Sequence, residues 1–211
     1  MKRNVAILIF DDVEVLDFAG PYEVFAVTDE LRSHDTFQVV TVAPTPATVR
    51  ARNGLKLVPD FILENCPAPA ILIIPGGAGT RALLRQPSLM EWLRLRAQRA
   101  EVVMSVCTGA LVLGKLGLLD GRRVTTHHEN LDELAAIAPA AVVDASRRFH
   151  DHLPGDTGPR VLTAAGISAG IDASLYLVGS LLGRAAAERT ARYMEYGDFA
   201  LSASVGGPVD A

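Results

Sequence analysis

The chain contains two cysteines, Cys66 and Cys107, and their sequence surroundings differ. Cys107 lies in VVMSVCTGALVLG, residues 102–114, where an apolar run typical of a strand meets a segment of helical character. A cysteine at such a turn resembles a nucleophile elbow, and the N–H groups at a helix start favour a thiolate with a lowered pKa. By spacing alone, a buried core cysteine fits Cys107 equally well. Cys66, in the loop ENCPAPA, has nothing beside it to activate it, and we interpret it as structural.

A second candidate element is the turn IPGGAGT, residues 74–80, which ends an apolar predicted strand. Gly76 and Gly77 would let backbone N–H groups approach a ligand, and with the N–H of Thr108 they would form an oxyanion hole. The alternative is an ordinary Gly-Gly turn into the following helix. The segment is not a phosphate-binding loop, because the Lys-Ser/Thr ending is missing.

Acid and base candidates lie on both sides of these motifs. Asp17, in VLDFAGP, has mainly apolar neighbours, and a carboxylate in such surroundings is costly unless it has a partner. Its alternative interpretation is a helix cap or a solvated turn residue. His127 and His128 follow the predicted strand RRVTT, and either could orient or deprotonate the Cys107 thiol. The alternative for both is a histidine that is hydrogen-bonded in the core or at the surface.

Strands and helices alternate along almost the whole chain. Five apolar runs predict strands, namely NVAILIF, FQVVTVAP, AILIIPGG, EVVMSV and VLTAAG. Most of the segments between and after these runs have the spacing of apolar residues that is typical of helices. This alternation predicts an α/β fold with a mostly parallel sheet and helices on both faces. Ligands in such folds bind at the carboxyl ends of strands, which are here the ends of AILIIPGG and EVVMSV and the segment after VAILIF. We also expect Gly20-Pro21 to break or restart the first helix and AVVDASRRFHD to supply hairpin strands.

Composition and charge restrict the function classes. A chain of 211 residues with 49% hydrophobic and 21% charged residues fits one domain with a sizeable core. The net charge of −4 gives no basic footprint for nucleic acid, and no uncharged apolar stretch is long enough to span a bilayer.

Two cysteines without a C-x-x-C motif indicate a reducing compartment, so we expect a cytoplasmic location. His150 and His152 alternate but lack a third ligand nearby, so no metal site is expected.

Taken together, four motifs resemble the PfpI/ThiJ-type, class I glutamine-amidotransferase-like superfamily. They are LDFAGPYEVF, IPGGAGT, SVCTGALVLGKLGLLDGRRVTTHHENLDEL and TAAGISAGIDASL. The resemblance covers residues 4 to about 196, and within the superfamily it is greatest to isonitrile hydratases and to the amidase-like domains fused to AraC-type regulators. It implies a flavodoxin-like α/β sandwich that forms a homodimer. We expect residues 1–211 to form a single domain of this type.

The resemblance to the isonitrile hydratase branch implies roles for four residues. Cys107 falls on the nucleophile, Thr108 on an essential threonine, Asp17 on the acid/base group and His127 on the histidine after the elbow. The implied reaction is hydration of an isonitrile, a small-molecule substrate, to an N-substituted formamide without a metal or organic cofactor. The alternatives are a related cysteine amidase or glyoxal-type activity, and a redox or ligand sensor with a reactive Cys107. His128 stands where isonitrile hydratases often carry tryptophan, which is a departure from the branch.

The regulator branch carries a C-terminal helix-turn-helix domain, and this sequence ends before such a domain. We therefore expect no direct binding to nucleic acid. The absence of a membrane-spanning stretch in the sequence leads us to expect no membrane partner either.

Overall fold

A seven-stranded sheet organises the computed structural model, which describes residues 2–154 and 158–197. The strands within these ranges are β1 (Arg3–Leu8), β2 (Phe37–Ala43), β3 (Val49–Arg50), β4 (Lys56–Leu57), β5 (Phe61–Ile62), β6 (Ile71–Ile74), β7 (Val102–Val106), β8 (Arg123–Val124), β9 (Val142–Val143), β10 (Phe149–His152) and β11 (Arg160–Ala164). The sheet order is β10-β11-β7-β6-β1-β2-β5, while β3 with β4 and β8 with β9 form separate pairs.

Helices connect the strands and pack in two groups. The described helices are α1 (Val15–Leu31), α2 (Thr80–Leu83), α3 (Pro87–Ala97), α4 (Gly109–Lys115), α5 (Leu131–Ile137), α6 (Ala169–Leu182) and α7 (Arg184–Tyr193). Helix α1 packs against α6 and α7, whereas α4 packs against α2 and α5. Within the described residues, none of these helices has the length and apolar character required to cross a membrane.

The sheet is parallel except at one edge, which confirms the predicted α/β fold with a mostly parallel sheet. In the order of the sheet, the six strands β11, β7, β6, β1, β2 and β5 run in the same direction. The remaining strand of this sheet, β10, pairs antiparallel with β11. All residues of β6 and β7 are buried, so side chains on both faces of these strands are covered. Continuous apolar runs are typical of such strands. The parallel direction brings the carboxyl ends of β1, β6, β7 and β11 to one edge.

Two local predictions are wrong. Helix α1 continues through Pro21, because Gly20, Pro21 and Phe25 are buried and this packing outweighs the backbone hydrogen bond that proline cannot make. A Cβ on Gly20 would lie 2.9 Å from Ile171 Cγ1, so the glycine also permits close contact with α6. The segment AVVDASRRFHD forms strands but not a hairpin, because β9 pairs with β8 while β10 pairs with β11.

The turn from β7 into α4 depends on a close contact between α4 and β6. A Cβ built on Gly109, the first residue of α4, would lie 1.9 Å from the carbonyl oxygen of Ile74. That oxygen belongs to the sheet backbone and has little freedom to move. Gly179 in α6 is a contrasting case, because its Cβ would lie 3.4 Å from Ala187 Cβ, an ordinary van der Waals distance.

Replacing Gly109 by alanine should destabilise the fold by about 2 kcal/mol or more, because the methyl group forces α4 away from β6. The matched control Gly179→Ala should change stability by no more than about 1 kcal/mol, with helix propensity acting in its favour. Urea unfolding followed by circular dichroism measures both changes. Equal stabilities for the two variants would contradict the close contact at Gly109.

Candidate functional site

The candidate site lies at the carboxyl ends of four neighbouring strands. Cys107 directly follows β7, and Gly76 follows β6 by two residues. Asp17 lies in the first turn of α1, after β1, and Ile167 follows β11 by three residues. Hydrogen bonds join these segments across the sheet edge, so residues that are distant in the sequence meet at one place.

The backbone of Cys107 adopts a left-handed conformation, with φ 56°. Its N–H donates to the carbonyl of Ala164 at 3.0 Å, and its own carbonyl accepts from Thr126 Oγ1 at 2.7 Å. A non-glycine residue in this region costs about 1–3 kcal/mol, and the surrounding hydrogen bonds hold it there. The side chain is buried among the ends of the strands with 7% of the residue exposed. This turn therefore has the backbone strain expected of a nucleophile elbow.

The Asp17 carboxylate is fully buried and accepts hydrogen bonds from two backbone N–H groups. Oδ1 accepts from the N–H of Ile167 at 2.8 Å, and Oδ2 accepts from the N–H of Gly76 at 3.1 Å. The Cys107 side chain lies next to this carboxylate, and each of the two groups affects the pKa of the other. A buried carboxylate requires such partners, and here two of them hold it in a fixed orientation beside the thiol.

Burial and mutual repulsion determine the charges of this pair. Burial raises the pKa of Asp17 to about 6, with a contribution from the Glu14 carboxylate, although the N–H donors of Ile167 and Gly76 oppose the shift. Burial and the negative charge of Asp17 raise the pKa of Cys107 to about 12. At neutral pH these shifts favour a neutral thiol beside an ionised carboxylate.

The prediction of a resting thiolate is wrong for this geometry. Hydrogen bonds from the backbone and side chain of Thr108 do lower the pKa of Cys107, as the position at a helix start implies. Burial of the sulfur and the adjacent Asp17 carboxylate have the larger effect, because both disfavour a second negative charge at the same place.

The Gly-Gly turn orients site residues instead of presenting free N–H groups. The N–H of Gly76 is directed at Asp17, and the N–H of Gly77 donates to Thr108 Oγ1 at 2.9 Å. The expectation that these two groups act as free oxyanion donors is therefore not met in this geometry. The N–H of Thr108 differs from them, since it stabilises negative charge on the Cys107 sulfur and so lowers the pKa of the thiol. A Cβ on Gly76 would lie 2.5 Å from that N–H, so no side chain fits there.

His127 lies beside the sulfur, as does the Asp17 carboxylate. A Cβ on Gly166 would lie 3.3 Å from both His127 Cδ2 and Cys107 Sγ, so the ring faces the sulfur across this glycine. His127 Nδ1 accepts from the backbone N–H of Glu129 at 3.4 Å, so in the neutral ring Nε2 carries the proton. His128 is exposed and packs against His127 with ring centroids 4.3 Å apart.

The other sequence candidates lie outside the site. His150 Nε2 lies 3.1 Å from the Asp144 carbonyl oxygen, and His152 Nε2 lies 2.6 Å from the carbonyl oxygen of Arg123. In the described part of the chain, no group of three histidine, cysteine, aspartate or glutamate side chains is placed to hold a metal ion. Cys66 is buried, and burial raises the pKa of its thiol, in agreement with a structural role.

The sequence interpretation missed the contribution of β11. Gly166 and Ile167, in the quoted motif TAAGISAGIDASL, complete the site, and Ile167 has φ 51°, which is rare for a β-branched residue. The rule that placed the site at strand ends applies equally to VLTAAG and was the available signal. Thr80 is the second omission, because its buried hydroxyl lies 3.0 Å from Thr108 Oγ1.

The fold and the site define an α/β protein in which a buried cysteine and a buried carboxylate meet at the carboxyl edge of a parallel sheet. The sequence pattern of the DJ-1/PfpI family matches residues 3–178. The chain belongs to this family. A solved ThiJ/PfpI family protein from Pseudomonas syringae superposes with a TM-score of 0.79 and 30% identity, covering 93% of this chain and 76% of that chain.

Relatives with different names share the domain. The chain is 34% identical to isonitrile hydratase of Pseudomonas putida over 196 residues, which are 93% of this chain and 79% of that protein. It is 26% identical to the HTH-type transcriptional regulator GbdR of Pseudomonas aeruginosa over 86% of this chain, but these residues span only 47% of the regulator. Membership of the family therefore leaves the particular activity open.

Substitution of Asp17 by asparagine should speed alkylation of Cys107 by iodoacetamide at mildly alkaline pH. Removal of the carboxylate charge lowers the thiol pKa, and each unit of decrease gives about tenfold more thiolate. Peptide mass spectrometry against time measures the rate, and Cys66 in the same sample provides the control. An equal or slower rate at Cys107 would show that the Asp17 charge does not act on the sulfur.

Proposed function

We propose that the chain is a cysteine-dependent hydro-lyase that converts an isonitrile and water into an N-substituted formamide. The observation that carries the proposal is the buried Asp17 carboxylate, which the N–H groups of Gly76 and Ile167 hold next to the Cys107 side chain. The 34% identity to isonitrile hydratase over most of both chains supports it. In this proposal Cys107 is the nucleophile, Asp17 the general acid/base and Thr108 a hydrogen-bond donor to the sulfur.

The first step adds the thiol across the terminal carbon of the isonitrile. Asp17 accepts the thiol proton while the sulfur forms a bond to that carbon, and then delivers the proton to the same carbon. The product is a thioimidate, in which sulfur is bonded to a CH=N carbon. A carboxyl group with a pKa near 6 suits both transfers, because it is ionised at neutral pH and readily gives up the proton it gains.

The second step returns the enzyme to its resting state. Asp17 accepts a proton from water as the water oxygen bonds to the thioimidate carbon, and the nitrogen receives that proton. The adduct then forms a C=O bond and breaks its C–S bond, while the hydroxyl proton passes through Asp17 to the sulfur. One isonitrile and one water give one formamide, so no oxidant, reductant or cofactor is consumed.

The occupied N–H groups of the Gly-Gly turn favour this reaction over amide hydrolysis. Attack on an amide places negative charge on the carbonyl oxygen, which needs free donors. The N–H groups of Gly76 and Gly77 already donate to Asp17 and Thr108. Attack on an isonitrile develops charge on carbon, and Asp17 neutralises that charge with a proton.

His127 is proposed to contact the substrate and not to activate the thiol. Its ring lies near the sulfur, across Gly166, and is only partly exposed. With Nδ1 accepting from Glu129, the neutral ring offers a proton at Nε2. That donor would hydrogen-bond to water or to the nitrogen of the thioimidate.

A ligand sensor is a second candidate, favoured by the similarity to the regulator GbdR. In that case the pocket would bind a small molecule without turnover, and Cys107 would remain unmodified at the end of the assay. The homodimer, the single domain over residues 1–211, the cytoplasmic location and the absence of a nucleic-acid or membrane partner remain predictions.

Cyclohexyl isonitrile should be converted to N-cyclohexylformamide by the wild-type protein, as measured by chromatography of the product. Cys107→Ala should abolish turnover, because no other thiol lies at the site among the described residues. Asp17→Asn should lower kcat by about 100-fold or more, the range that general acid–base catalysis contributes. Cys66→Ala is the matched control and should retain activity. Absence of formamide with the wild type would refute the proposal.

The pH profile of kcat/KM should fall on the acid side with an apparent pKa of about 6. Asp17 must be ionised to accept the thiol proton, so activity is present above this pKa and is lost as the carboxylate becomes protonated below it. Histidine titrates in the same range in general. If protonation of Asp17 causes the fall of kcat/KM at acid pH, the His127→Asn variant should show the same fall. If the fall is absent in this variant, it arises from the imidazole of His127.

A further inference from the structure

Thr80 and Thr108 form a buried pair of hydroxyl groups behind the sulfur. Their Oγ1 atoms lie 3.0 Å apart, and both residues are at most 3% exposed. Thr80 Oγ1 also donates to the carbonyl of Gly77 at 2.8 Å, while Thr108 Oγ1 accepts from the N–H of Gly77 at 2.9 Å. Thr80 is in contact with Thr108, whose Oγ1 and the Cβ of Cys107 both adjoin Gly76, and the Thr108 side chain lowers the pKa of the Cys107 thiol.

The number of protons limits how these hydroxyl groups can be connected. Each threonine has one hydroxyl proton. In the resting geometry, the Thr80 hydroxyl donates its proton to the Gly77 carbonyl. The Thr108 hydroxyl then has three possible acceptors, which are Thr80 Oγ1, the Gly77 carbonyl at 3.2 Å and the sulfur. A neutral thiol is a weak acceptor. While Cys107 keeps its proton, the Thr108 hydroxyl therefore donates to one of the two oxygens and not to the sulfur.

The balance changes when Cys107 loses its proton to Asp17. A thiolate is charged and a much stronger acceptor, so the Thr108 hydroxyl turns to the sulfur. Thr80 can then turn from the Gly77 carbonyl to Thr108 Oγ1, since that oxygen lies within 3.0 Å. The carbonyl of Gly77 is not left unpaired, because the N–H of Thr80 also donates to it at 3.2 Å.

We propose that Thr80 is a positioning residue that donates to Thr108 and thereby strengthens the hydrogen bond from Thr108 to the charged sulfur. A donor whose oxygen itself accepts hydrogen bonds is a better donor, because consecutive hydrogen bonds polarise one another. Thr80 never contacts the substrate and acts through Thr108. The inference deepens the proposed function, since it concerns how the same nucleophile is formed, but it does not require an isonitrile as the substrate.

The charged groups around the sulfur stay the same in the test variants. Asp17 faces it from α1, with Glu14 close to that carboxylate, and His127 faces it across Gly166. Thr80 carries no charge and belongs to α2. A change of thiol reactivity on substitution of Thr80 therefore cannot arise from a lost charge.

The test compares Thr80→Val, which removes the hydroxyl at nearly constant volume, with Thr80→Ser, which keeps it. The matched control is Thr190→Val, because Thr190 forms a similar buried hydroxyl pair with Thr28 at 2.9 Å between α7 and α1, away from the sulfur. The readouts are the rate of Cys107 alkylation by iodoacetamide as a function of pH, and kcat and KM for cyclohexyl isonitrile.

Thr80→Val should slow alkylation below the thiol pKa by about fivefold and lower kcat by a similar factor at unchanged KM. Thr80→Ser should restore both rates, and Thr190→Val should lower stability without slowing alkylation. In a Thr108→Val background, Thr80→Val should have no further effect on alkylation, because its route to the sulfur is absent.

Unchanged or faster alkylation in Thr80→Val would overturn the inference, as would an additional loss in the Thr108→Val background. If Thr80→Val does not fold, Thr80→Ala removes the same hydroxyl in a smaller side chain and decides the question. Failure of the wild type to hydrate isonitriles would refute the proposed function alone, because the alkylation rates would still test the role of Thr80.

Discussion

The site depends on one buried contact between an acid and a thiol. Asp17 and Cys107 share a proton in surroundings that disfavour charge on either group, so burial raises both pKa values. Two backbone N–H groups compensate for part of the cost of the buried carboxylate, and they come from Gly76 and Ile167. The nucleophile is therefore stored in its protonated form beside the base that removes the proton.

The parallel sheet makes this contact possible because it brings several chain segments to one edge. Strand β7 supplies the thiol, and the segments after β6 and β11 supply N–H groups that orient the acid. Gly76, after β6, is required by space, since a Cβ there would lie 2.5 Å from the backbone nitrogen of Thr108. The fold thus contributes fixed backbone dipoles, and few side chains carry the chemistry.

The sequence contains enough information for the α/β fold and for the location of the site. Apolar runs mark the strands, and the position of Cys107 and of Asp17 after such runs places both at the carboxyl edge. The charge of the thiol was not predictable, because a helix start is a local signal whereas burial and the nearness of Asp17 arise from tertiary packing. For the same reason, the sequence could not show that Gly76 and Gly77 use their N–H groups internally, or that packing carries α1 through Pro21.

Asp17 and Ile167 are separated by 150 positions along the chain, yet a hydrogen bond of 2.8 Å joins them. The pairing is therefore strongly non-local, and a contact of this kind requires the intervening chain to be ordered. A partly folded intermediate without β11 would expose Asp17 and Cys107 to water, with ordinary acidities and no fixed orientation. The paired thiol and carboxylate thus exist only in a molecule whose sheet is complete, so completion of the sheet both orients the thiol and raises its pKa above the ordinary value.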